Sequence, residues 1–175
     1  MSATTPNSSL LLAKPIPICY NRNIPQKGDL SMDELIAVEA YLNGLTHLAS
    51  ACSSWIGCSE ISAICAPPDG IAEELAQTFQ LSPEETALTP VPQSLSQLFA
   101  MWLGGKEEKL REDLLWLIEG QVGSPVQVLR LQKEEELRGR LGWGEGGGGR
   151  YYFLDDLIVV RFAECAVCFY MGNNE

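Results

Sequence analysis

The sequence predicts an α+β fold, an N-terminal helical bundle of four to five helices followed by a C-terminal antiparallel sheet of three to four strands. Three observations point to it. Apolar residues recur every three or four positions from Ser31 to about Glu119, several Ser and Asp residues stand at helix-capping positions before these stretches, and beyond Pro125 the period falls to two.

Residues 1–28 are rich in Ser, Thr, Asn and Pro, so they read as a flexible or extended tail, with Met1–Ser9 disordered and Ile16, Ile18 and Tyr20 able to alternate as a short edge strand. Residues 29–175 then form one α+β domain, helical and acidic over 29–120 and mainly β over 125–171. At Ser31 a capping box with Glu34 starts a long helix. Its inward stripe is Leu35, Val38, Leu42, Leu45, Ala49, Cys52 and Ile56, widened on one flank by Tyr41, Leu48 and Trp55. The stripe also fits a heptad, but over too few repeats and without charged flanking pairs, so a core-facing helix is the better reading.

Three further helix starts follow Pro67-Pro68: Asp69 before Ile71, the box Ser82-Pro83-Glu84-Glu85, and Ser94 with Gln97. The last opens a short helix with Leu95, Leu98, Phe99, Trp102 and Leu103 inward, ended by Gly104-Gly105. Lys106–Glu119 makes another, with Leu110, Leu114, Leu117 and Ile118 inward, Glu107–Arg111 and Lys109–Asp113 paired outside, and Gly120 closing it. Alternation at Val126–Leu131, Leu137–Trp143 and Tyr151–Leu154 predicts strands. Asp155-Asp156 reads as a turn, and the β-branched and aromatic run Leu157–Tyr170 completes a meander.

Charge narrows the function. The formal net charge is −11, which disfavours sequence-independent attraction to nucleic acid or anionic lipid, because that attraction needs Lys and Arg against phosphate. From Gly28 through Gly105 there is no Lys or Arg, whereas Asp29, Asp33, Glu34, Glu39, Glu60, Asp69, Glu73, Glu74, Glu84 and Glu85 all fall inside. The complementary partner is a protein with a neutral or basic surface, met by Asp33, Glu34, Glu39, Glu73, Glu74, Glu84 and Glu85. The acidic run also fits a mimic of nucleic acid that occupies a groove meant for phosphates. No apolar run approaches the ~20 residues of a membrane span, and no basic residue precedes the patch Leu10–Ala13, so a cytoplasmic location with reduced cysteines is expected.

Few residue patterns carry chemistry. Cys165 and Cys168 have the spacing of a metal knuckle or redox pair, with Cys52, Cys58 and Cys65 as further donors, but residues three apart in a strand point to opposite faces. Buried thiols are the simpler reading. Gly142–Gly147 matches GxGxxG, yet a strand-like run follows it where a phosphate cradle needs a helix. His47 is the only histidine and lies opposite the apolar stripe. Asp155 and Asp156 with Glu164 make a hard-cation site conceivable, with no third ligand at motif spacing. The sequence therefore predicts no cofactor and no catalytic residue. It points first to a non-enzymatic interaction protein, with a metal or thiol protein and a small-ligand binder or enzyme as alternatives.

Overall fold

The computed structural model describes residues 30–53, 60–104, 107–134 and 152–174. In chain order the elements are α1 (Met32–Cys52), β1 (Glu60–Ala66), α2 (Ile71–Phe79), β2 (Leu88–Pro90), α3 (Leu95–Leu103), α4 (Glu108–Val122), β3 (Gln127–Leu131), β4 (Tyr152–Arg161) and β5 (Ala166–Asn174). The fold is mixed α+β with its helices in the N-terminal part and its sheet mainly in the C-terminal part. The sheet gains two strands from the helical part, in the antiparallel order β1-β5-β4-β3-β2.

Period-two alternation sorts the sheet's side chains onto two faces. Ile61, Ala63 and Cys65 of β1, Ile158 and Val160 of β4, and Val167 and Phe169 of β5 face one core, closed by α1, α3 and α4. Ile64, Leu129, Leu157, Val159 and Cys168 face a second, smaller core beneath α2, with Ile71, Leu75 and Leu81. Both faces are covered, which explains why β4 and β5 read as nearly continuous apolar runs. In the first core Phe99 meets Trp102 and Phe169 edge to face, at centroid distances of 5.5 and 5.3 Å.

The helix starts follow the capping chemistry. Ser31 Oγ accepts from Glu34 N and the Glu34 carboxylate accepts from Ser31 N; Ser94 and Gln97 make the same reciprocal pair for α3. Other boundaries depart from the sequence expectation. The apolar stripe predicts a helix running through Ile56, but α1 ends at Cys52 and is capped by Ser53. Tyr41, Leu48 and Cys52 of the widened stripe are exposed, since the core takes only the side with Leu35, Val38, Leu42 and Ala49. The box at Ser82 makes one turn, with Ser82 N donating to Glu85 at 2.7 Å, and no helix follows. The chain instead extends into β2, because Pro90 and Pro92 lie too close for a helix to continue. Helix α4 runs through Gly120 to Val122 and ends at Gly123, whose φ of 84° suits glycine alone. Asp156, expected in a turn, lies within β4, next to a register shift between Leu154 and Asp156.

The predicted tail over 1–28, the strand at Leu137–Trp143, the glycine-rich loop, Trp55 and Cys58 lie outside the described residues. No helix among the described residues is long and apolar enough to cross a membrane.

Candidate functional site

Strand β1 lies at the edge of the sheet, where backbone N–H groups have no neighbouring strand. Helix α1 seals that edge with side chains. Glu39 accepts from Cys65 N at 2.7 Å, Asn43 accepts from Ala63 N at 2.8 Å and donates to Ala63 O at 2.9 Å, and Ser50 accepts from Ile61 N at 2.9 Å. His47 Nε2 lies 3.3 Å from Ser62 Oγ and 4.0 Å from a Glu60 oxygen. The polar residues thus run down one side of α1 and meet β1 in reverse order, with the Asn43 amide replacing a strand's backbone pair. At the opposite edge, β2 has three residues and one of them, Pro90, carries no N–H.

This arrangement places the acidic residues. α1, β1 and α2 gather at the β1 end of the strand order, α1 along the edge and α2 on the second face against β1 and β5. Asp33, Glu34, Glu39, Glu60, Asp69, Glu73 and Glu74 therefore share one end of the molecule, with no Lys or Arg among them. Asp33, Glu60, Asp69 and Glu73 are exposed there. Of the described basic residues, Arg130 and Arg161 lie on β3 and β4, Lys133 follows β3, and Lys109 and Arg111 lie on α4, which packs against α1.

The structure does not bring all seven predicted contact residues together. Asp33, Glu34, Glu39, Glu73 and Glu74 lie at the β1 end, whereas Glu84 and Glu85 lie on the turn that leads across to β2. Three of the seven carboxylates hold the fold as well: Glu34 closes the capping box of α1, Glu85 accepts from Ser82 N in the turn before β2, and Glu39 seals β1.

A second charged group has no counterpart among the sequence expectations. Arg130 of β3 donates to Asp156 at 2.7 and 3.2 Å and to Glu134 at 2.7 Å, while Trp102 Nε1 donates to Asp156 at 2.7 Å. Leu157 N adds a further donor at 2.9 Å. Burial alone pushes the Asp156 carboxyl up, but the hydrogen bonds from Arg130 and Trp102 and the Arg130 charge outweigh it and hold the group below the usual carboxylate range. Every acceptor direction of this carboxylate meets a donor, so it acts as a structural tie between α3, β3 and β4 rather than as an acid or base.

Cys165 and Cys168 fall on opposite faces of the sheet, Cys165 in the first core and Cys168 in the second. Burial pushes the Cys165 thiol up to about 11, with Glu164 adding to it. Burial raises Cys168 and Cys65 further, helped by Cys65 in the first case and by Cys165 and Glu39 in the second. Thiolate, the form that binds metal or attacks disulfides, is scarce at such sites near neutral pH. Among the described residues no three His, Cys, Asp or Glu side chains are grouped to hold a metal ion. His47 is exposed, as its position opposite the stripe suggests. Trp102 is buried, and the tryptophan that reaches solvent among the described residues is Trp116 of α4, at 67% exposure.

No protein-family model, curated protein or solved structure matches this chain.

Proposed function

We propose that this chain is a non-enzymatic protein–protein interaction protein, an adaptor, chaperone-like factor or accessory subunit of a larger assembly, that binds a basic partner through its acidic helical side. The observation that carries the reading is the charge layout at the β1 end, where α1, β1 and α2 combine exposed carboxylates with a complete lack of Lys and Arg. A merely solvated surface intersperses both signs, which screens self-repulsion. Single-sign charge on one end of a molecule speeds encounter with an oppositely charged surface and rejects acidic ones.

The test is native mass spectrometry of the full chain captured from its own source at low salt, followed by binding kinetics of any captured partner against ionic strength. A stoichiometric partner with a basic surface is expected, with an association rate that falls about tenfold or more between about 50 and about 500 mM salt, as the Debye length shrinks to a few ångströms. A partner whose association rate ignores salt would overturn the reading.

A further inference from the structure

Helix α1 is apolar on nearly all sides, and a helix of that kind normally lies buried in a core. Here one side faces the first core and a second seals β1, yet the third faces solvent. Along it stand Ala37, Ala40, Tyr41, Gly44, Leu48 and Ala51, all exposed. Leu48 is 62% and Tyr41 40% exposed, and a Cβ placed on Gly44 would meet nothing within 4 Å. From Ala37 to Ala51 the row runs about 21 Å at helical rise. Four of the seven large hydrophobic residues exposed among the described ones belong to α1.

The two ends of this row are negative. Asp33 and Glu34 stand in the first turn of α1, and the last turn carries no basic residue to offset the negative end of the helix dipole, with Glu60 close to it beside His47. No Lys or Arg occurs from Gly28 to Gly105, so α1, β1 and α2 carry none; Lys109 and Arg111 of α4, which packs against α1, face Asp113 and Glu108 of their own helix. A second copy would bring the same sign of charge, and the formal net charge of −11 on each chain opposes that pairing.

We infer that the outer face of α1 is the docking surface of a cationic amphipathic helix, whose apolar stripe covers Tyr41, Gly44 and Leu48 and whose Lys or Arg residues meet the carboxylates at both ends. This deepens the proposed function and rests on it, since it names the partner chemistry of the same acidic side. Gly44 lets the two helices approach closely, while Tyr41 and Leu48 provide the apolar anchors. The row thus supplies the desolvated contact that charge complementarity alone lacks.

The probe is a synthetic peptide of about 18 residues with Leu at helical spacing and Lys at both ends, long enough to cover the row. Its control has the same composition scrambled to destroy the stripe. Binding to the full chain is read by fluorescence anisotropy. The striped peptide is expected to bind about tenfold or more tightly than the scrambled one, and Leu48→Ser and Gly44→Gln are each expected to weaken it by about tenfold. Gly44→Gln changes no charge, fills open space and favours the helix, so its loss of binding has no unfolding explanation, and Trp116→Ser on α4 is expected to bind normally. Equal binding of both peptides, unchanged in Gly44→Gln, would overturn the inference while leaving the acidic-surface reading intact; no binding of either would sink both. A dimer in sedimentation that Leu48→Ser dissociates would overturn it in favour of a second copy. Affinity raised about tenfold by Lys14→Glu, Arg22→Glu and Lys27→Glu together would overturn it in favour of the chain's own N-terminal residues.

Discussion

At the scale of single residues, the strongest electrostatic commitment is Asp156, whose side chain is 10% exposed beside Arg130. Its folded-state pKa lies below the unfolded value of about 3.9. A depressed carboxylate contributes stability that is fully present above the unfolded pKa and is lost as pH falls through the folded one. Asp156→Asn keeps the shape but leaves Arg130 with less compensation, and should cost about 3 kcal/mol at neutral pH. Urea unfolding followed from pH 7 to pH 2 should then show the variant losing less stability on acidification than the parent, the two curves converging at the acid end. Parallel curves would mean that the pair contributes nothing to the acid limb. The buried thiols allow a simpler check: Cys165 and Cys168 should resist iodoacetamide in native buffer, where Cys52 reacts, and should all label in urea, read by peptide mass. Labelling of Cys165 in native buffer would show that its cover opens readily.

At the scale of elements, the edge seal on β1 decides much of what α1 does. Asn43→Ala removes both partners of Ala63, a residue buried at 3% exposure, and should cost about 2 kcal/mol, since each orphaned buried group costs about 1–3. Hydrogen exchange at the Ala63 amide should accelerate with it; a protected amide in the variant would show that another group takes the bond. The end of α4 offers a paired contrast. Gly120 lies within the helix, and a Cβ added there would meet nothing within 4 Å, so Gly120→Ala should stabilise by about 1 kcal/mol, whereas Gly123 at φ +84° should lose about 1–3 kcal/mol on the same change. Thermal unfolding of the two variants separates them by sign.

These elements also show how far the sequence could be read. Capping chemistry is local, so Ser31 with Glu34 and Ser94 with Gln97 announce α1 and α3 correctly, and the β-branched run of β4 and β5 announces the sheet. Glu60–Ala66 is a short apolar run flanked by a helical pattern, and period alone does not tell such a run from a helix end. Asp155-Asp156 has the composition of a turn; only Arg130, twenty-six positions earlier in the chain, makes burial of Asp156 tolerable. The seal is half visible. Glu39, Asn43 and Ser50 interrupt an otherwise apolar helix on one side, and what that side meets depends on a strand that the periodicity does not reveal.

At the scale of the whole molecule, the acidic β1 end should carry self-repulsion that the basic residues of β3 and β4 are placed too far along the sheet to offset. Glu73 and Glu74 lie on α2, where Glu73 is exposed and neither makes an ion pair among the described residues. Neutralising both as Glu73→Gln with Glu74→Gln removes like-charge repulsion from Asp69 nearby but also two carboxylates that favour the N-terminus of α2, so the effects oppose and the melting temperature should shift by no more than about 1–2 °C at low salt. Any shift should fade by about 0.5 M salt, where the Debye length is a few ångströms. If these carboxylates serve a partner, the same variant should associate with it more slowly at low salt while its dissociation rate stays unchanged, because rim charges act on encounter. The two measurements therefore belong together. A variant of unchanged stability that is equally quick to bind would mean that the charge on α2 serves neither folding nor recognition, and would move the contact surface to α1 alone.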